Sequence, residues 1–221
     1  MTEPTYLTET RRSYDAMATG YTEALDPNLA DIPFERAMLA VFADLVRTSG
    51  AGPVADLGCG PGYLTAHLNG LGVDAFGIDL SPQMIALARH RHPDLHFTVG
   101  SMTALDLPDH GLGGVLASYS TIHLPDQQLP VVFAEFARVL APGGWLLLAF
   151  LAGDEQVHRS EAFGQPITLD YHLRRPGPVA DLLTPAGFTV MARLERQPFP
   201  GETIPRAYLL AHKDPTDPNC R

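Results

Sequence analysis

Between residues 54 and 65 the chain reads VADLGCGPGYLT. Gly58, Gly60 and Gly62 stand at alternate positions, and the apolar run ahead of them holds one carboxylate, Asp56. A glycine turn after a strand lets a ligand approach the main chain closely, because no Cβ intervenes; a tight turn with no ligand is the plain alternative. Asp79 closes a second strand-like run, AFGID, seventeen residues past Gly62. A carboxylate there can accept both hydroxyls of a ribose, and the same spacing serves NAD proteins. It can also simply favour the N-terminus of the following helix, worth about 0.3–1 kcal/mol. His123, in SYSTIHLPD, has the ordinary imidazole pKa of about 6.5 that suits proton acceptance near neutrality; the alternative is a histidine packed beneath its loop. Tyr14 and Tyr21, in YDAMATGY, lie seven residues apart and share a helix face. They could meet a cation, at about 0.5–2 kcal/mol, or be core aromatics.

Strand ends and helix starts must position these residues. Helical spacing runs through 8–25 (Tyr14, Met17, Tyr21, Leu25) and 33–48 (Phe34, Met38, Val41, Phe42, Leu45), with Pro33 in a first turn. The pattern then alternates: strand 54–57, helix 63–72, strand 75–79, and helix 81–91 with Ser81 as N-cap and Pro82 at N1. Strands over 96–100 and 113–120, a helix over 127–144 and a strand over 145–150 continue it. A helix over 178–187 precedes strands 188–196 and 207–212, which lack a helix between them and should pair antiparallel. Alternation of this kind predicts an α/β fold with a mostly parallel sheet and helices on both faces.

A dinucleotide fingerprint needs G-x-G-x-x-G. Its third glycine would fall on Tyr63 or Thr65, so neither register works. The spacing present is D-x-G-x-G-x-G from Asp56 to Gly62, and with Asp79 in GIDLSPQMI the chain resembles the class I S-adenosylmethionine (SAM)-dependent methyltransferases. The segments VGSMTALDLPD (99–109) and FAEFARVLAPGGWLLLAF (133–150) extend the resemblance, which covers roughly residues 10–212. It implies a Rossmann-like, doubly wound, seven-stranded sheet with a C-terminal antiparallel hairpin and an N-terminal helical cap. It also implies a methyl transfer from SAM, with S-adenosylhomocysteine as product. In that frame Gly58, Gly60 and Gly62 make room for the methionine part, and Asp56 holds its ammonium directly or through water. Asp79, with Leu80 beside it, takes the ribose. Ser101 stands where many relatives carry Asp against the adenine amino group, and Met102 covers the ring. Ser118, in the fourth strand, lies at the cofactor, Tyr14 and Tyr21 lie over it, and His123 is the candidate general base. A SAM-fold protein that catalyses a cyclisation or decarboxylation, or a module that only binds SAM, would share every one of these motifs.

Composition bounds the rest. The net charge is −10, and fourteen arginines stand against the single Lys213, with no basic run beyond Arg11-Arg12 and Arg174-Arg175. Phosphate-backbone binding is therefore disfavoured and a small organic substrate expected. The longest apolar stretch, around WLLLAF, is far too short to cross a bilayer, and no signal-peptide pattern opens the chain. The default expectation is a cytoplasmic protein of bacterial type without membrane contact, a monomer or homodimer. Cys59 and Cys220 offer no disulfide framework, and no histidine spacing suggests a metal. One domain is expected: a helical cap (1–48), a SAM-binding core (49–150), an insertion (151–177), a last helix and hairpin (178–212) and a loose tail (213–221). The insertion carries His158, Phe163, Tyr171, His172 and the Arg174-Arg175 pair. Alternation through 166–173 suggests a strand there, suited to covering a pocket or to forming a dimer edge. The arginine pair could meet a substrate carboxylate or be solvated.

Overall fold

Four consecutive buried residues, Val54–Leu57, form strand β1, and burial on both faces marks it as a central strand. The computed structural model describes residues 3–24 and 32–215. Two helices precede β1: α1 (Thr5–Ala24) and α2 (Pro33–Ser49). Then come α3 (Tyr63–Gly70), β2 (Ala75–Asp79), α4 (Pro82–Arg91), β3 (Phe97–Val99) and β4 (Leu112–Ser118). The second half runs α5 (Leu129–Val139), β5 (Leu140–Leu151), β6 (Gln156–Ala162), β7 (Gln165–His172), α6 (Pro176–Leu183), β8 (Phe188–Arg196) and β9 (Arg206–Lys213). Seven strands form one sheet in the order β3-β2-β1-β4-β5-β9-β8. The first five are parallel, and β9 runs antiparallel to both β5 and β8. The Rossmann-like architecture anticipated from the sequence is the one observed.

The chain winds outward from β1 to β3 and returns to β4 on the other side of β1. That reversal opens a crevice at the carboxyl ends of β1 and β4, where open α/β sheets bind ligands. Apolar helix stripes seal both faces. Phe133 and Phe136 of α5 pack with Val115, Leu146 and Leu209, while Leu39, Phe42 and Val46 of α2 pack with Val54, Leu116 and Leu147. Ser81 caps α4 as its sequence predicts, accepting from the Met84 amide at 3.1 Å.

Two elements depart from the sequence reading. The helix expected to reach residue 144 stops at Val139, and Leu140 turns to extended backbone and pairs with Leu112. Pro142 has no amide to donate to a longer helix, and Gly143 sits at φ 77°. The insertion holds two strands where one was expected; β6 and β7 form a separate hairpin closed by Phe163 and Gly164, both at positive φ. Such turns favour Asn-Gly. Here Phe163 is held by α1, where it lies edge-on to Tyr21 at 5.9 Å and so close to Gly20 that an added Cβ would approach it to 2.9 Å. The last strand extends through Lys213, one residue into the expected tail. The remainder from residue 216 on, with Cys220, lies outside the described residues, as does Leu25.

Candidate active site

Asp79, at the end of β2, joins the two turns that follow the first two strands. Its carboxylate accepts from the Gly60 amide and from the Ser81 amide, each at 2.8 Å. Burial pushes its pKa up to about 6, against the lowering effect of those amides. Helix α1 closes over this point. Ser81 donates its hydroxyl to Asp15 at 2.5 Å, Asp15 also accepts from the Gln83 amide, and Arg11 donates to the Leu80 carbonyl at 3.3 Å. On its other side α1 is tied to the hairpin, because Ser13 exchanges hydrogen bonds with the Thr168 main chain.

The three glycines of the first turn are bare for different reasons. A Cβ on Gly58 (φ 76°) would lie 2.3 Å from the Ser120 Cβ, and one on Gly62 (φ 87°) would lie 2.7 Å from the Phe97 ring. Both serve protein packing. At Gly60 (φ 53°) a Cβ would meet no heavy atom within 4 Å, so the space beside it is open.

Asp56 stands behind the wall. It is 1% exposed, and its carboxylate accepts from the Thr65 hydroxyl at 2.7 Å, which holds the first turn of α3. Burial pushes its pKa up to about 7. The protonated form is thus favoured by folding. The associated stability is full below the ordinary carboxylate value and is lost as pH rises through about 7, at up to about 1.4 kcal/mol per pH unit. An Asp56→Asn variant carries no such titration. In parallel thermal scans its melting temperature should gain on the wild type's between pH 4 and pH 7; curves with a constant gap would contradict this.

His123 sits in a short 3-10 turn after β4 and is buried. Its Nδ1 faces the Asp170 carbonyl at 2.9 Å, which can only accept, so Nδ1 carries the proton. Nε2 then accepts from the Tyr14 hydroxyl at 2.9 Å. Burial lowers the imidazole pKa to about 4. Long-range proton–nitrogen NMR at pH 5.5 should therefore find this ring neutral and Nδ1-protonated, whereas a free imidazole would be mostly charged. The loop that carries it is clamped by Arg174, which donates to Thr121, to Leu124 and, at 2.8 Å, to Asp126. Arg175 pairs with Asp154 on the surface. Neither arginine lines the cavity. Of the two readings left open by the sequence, the substrate carboxylate is not the one observed, since Arg174 braces a loop and Arg175 is exposed and paired with Asp154.

These parts surround a cavity of about 590 Å³. Its wall includes Tyr14, Tyr21, Gly58, Gly60, Asp79, Leu80, Ser101, Met102, Ser118 and His123, all expected from the sequence. Asp56 and Gly62 are not in it. Several expected side chains are engaged within the protein. The Ser101 hydroxyl bonds Thr103 at 2.8 Å, and that of Ser118 donates to Glu35 at 3.1 Å. Of the insertion's marked residues, Tyr171 reaches the cavity, its ring 4.7 Å from His123. His158 is exposed and paired with Asp170. The sequence reading missed Glu35, Arg196, Glu202 and Arg206, which line one end of the cavity. No local motif marks them, since they come from the start of α2, the end of β8, the β8–β9 connection and the start of β9.

Residues 54–144 match the family described as Methyltransferase domain. An uncharacterized methyltransferase of Mycobacterium bovis is 32% identical over 151 residues, covering 68% of this chain and 59% of that protein. The chain thus spans about three-fifths of the length of that relative. The solved complex of DhpI with SAM and HEP gives a TM-score of 0.74 at 22% identity, over 96% of this chain and 99% of DhpI. The 1,6-didemethyltoxoflavin-N1-methyltransferase of Burkholderia thailandensis, solved with 1,6-didemethyltoxoflavin and S-adenosylhomocysteine, gives 0.68 at 19%, over 97% and 92%. The fold is that of the class I SAM-dependent methyltransferases. Within it, residues 54–144 are a methyltransferase domain.

Proposed function

We propose that the chain transfers a methyl group from SAM to a nucleophilic atom of a small organic molecule and releases S-adenosylhomocysteine. The observation that carries this reading is the cavity at the β1–β4 reversal, whose wall combines Gly60, Asp79, Ser101 and Met102. The residues fit the cofactor. Open space adjoins Gly60, and Asp79 keeps lone pairs for ribose hydroxyls beyond those given to Gly60 and Ser81. The buried Ser120 hydroxyl, from a residue of the same wall, has no partner among the described residues. When bound, SAM supplies a methyl group activated on a sulfonium and open to in-line displacement.

The protein's share is orientation and exclusion of water. Helix α1 and the β6–β7 hairpin roof the cavity, with Tyr14, Tyr21 and Tyr171 facing it, which favours a small acceptor over a polymer. Positioning of this kind can lower a barrier by about 7–11 kcal/mol in the best cases. The acidity of the chain argues the same way against nucleic acid. His123 takes a proton from the acceptor through Nε2, by way of the Tyr14 hydroxyl or in its place. With a pKa of about 4 it stays unprotonated from pH 5 to pH 8. Turnover at saturating cofactor should therefore show no inflection near pH 6.5 from this group. Incubation with methyl-labelled SAM and a metabolite extract, followed by mass spectrometry, tests the reading; cofactor binding with no labelled product in any pool would overturn methyl transfer.

A further inference from the structure

Glu35 and Arg206 carry opposite charges on the wall of the same cavity. Glu35 has no ion pair among the described residues, and Arg206 has only a long one, to Glu202. Glu35, in the first turn of α2, is 8% exposed and, among the described residues, accepts only the Ser118 hydroxyl. Arg206 opens β9, with its guanidinium over the Tyr119 ring at 5.5 Å and one hydrogen bond to the Ile204 carbonyl at 2.9 Å. Its nearest carboxylate, Glu202, is 3.7 Å away. That carboxylate is already gripped on both oxygens by Arg196, at 2.5 and 2.8 Å. Burying the Glu35 carboxylate is costly unless a cation pairs it, and Arg206, half-buried, keeps N–H donors beyond those given to Ile204 and Glu202. A ligand that satisfies both must bear a cationic and an anionic group close together, as an α-amino acid does.

Position narrows the choice. Ser118 ends β4 and Tyr119 follows it, one strand beyond the Gly58–Gly60 turn, whereas Asp79 ends β2 on its other side. Two strand spacings, about 10 Å, separate the ribose site from the end of β4, where Ser118 meets Glu35 and where Arg206 reaches over Tyr119 from β9, two strands further on. Asp56, the carboxylate that the sequence gives to the cofactor's ammonium, instead lies behind the wall, bonded to Thr65. We propose that Glu35 takes the ammonium, and Arg206 the carboxylate, of the cofactor's amino-acid moiety. The acceptor molecule is thereby left the aromatic end of the cavity around Tyr14, His123 and Tyr171. This inference rests on the reading of the site as a SAM site.

The test is calorimetric titration with S-adenosylhomocysteine and with 5′-methylthioadenosine, which keeps the adenosyl thioether and lacks the amino acid. Wild type should prefer the former. Glu35→Gln and Arg206→Gln should each weaken S-adenosylhomocysteine at least about tenfold and leave methylthioadenosine within about twofold, so the preference collapses. Asp56→Asn should keep the wild-type preference. The methylthioadenosine arm and circular dichroism verify folding, and either glutamine variant suffices if the other is unfolded. A preference unchanged in both variants, or one lost in Asp56→Asn instead, would overturn the assignment while the cofactor reading stands. Binding of neither ligand by wild type would overturn both.

Discussion

An Asp79→Ala variant is expected to bind S-adenosylhomocysteine at least about 100-fold more weakly than wild type. Two losses combine. The ribose acceptor disappears, and the Gly60 and Ser81 amides lose the carboxylate that holds the turns after β1 and β2 at 2.8 Å. Hydrogen bonds to a charged group contribute about 1.5–3 kcal/mol each, and roughly 1.4 kcal/mol is a factor of ten in affinity. Asp79→Asn keeps one acceptor oxygen and should fall between the two. The pH dependence follows from the same group. The ionised carboxylate is the better acceptor, and its pKa is pushed up to about 6. Wild-type affinity should therefore decline as pH falls through 6, and the Asn variant should show no such decline. Calorimetry between pH 5 and pH 8 measures both, and full-strength binding by the Ala variant would remove Asp79 from the site.

Gly58→Ala and Gly60→Ala should fail in opposite ways, although the two glycines are two residues apart in one motif. At position 58 the new methyl group would lie 2.3 Å from Ser120. Its neighbour Tyr119 already sits at φ 52° with its amide fixed on the Ala149 carbonyl at 2.7 Å, so the loop has little room to recede. A left-handed backbone costs about 1–2 kcal/mol for a residue with a Cβ, and overpacking about 1–3 kcal/mol. Their sum corresponds to a melting temperature lower by roughly 4–20 °C in a domain of this size. At position 60 only the backbone term applies, because no atom lies within 4 Å. That variant should melt within a few degrees of wild type, yet bind cofactor poorly, since the methyl group occupies the ligand's space. Equal thermal losses in the two variants would contradict the division of roles.

The limits of the linear reading show in the same residues. Strands β1 and β2 occupy the spans their sequences predict, and Ser81 caps α4 as expected, because apolar runs, caps and Pro at a first helical position act over a few neighbouring residues. The sheet's handed winding follows from the alternation of elements, which is also local. Hairpin β6–β7 has no local signature, because its turn lacks Asn-Gly and Phe163 is held at positive φ by contact with α1.

By itself the sequence determined which elements form and in what order, and so where the crevice lies and that Gly60, Asp79 and His123 come to its edge. Tertiary packing decided what each does there. Gly58 and Gly62 are bare for Ser120 and Phe97, Asp56 turns to Thr65, and Glu35 meets a cavity shared with Arg206 from the far end of the chain. The reason is physical: periodicity and capping are encoded within a helical turn or a strand. Side-chain direction, desolvation and ion pairing depend on atoms that only the closed sheet brings together.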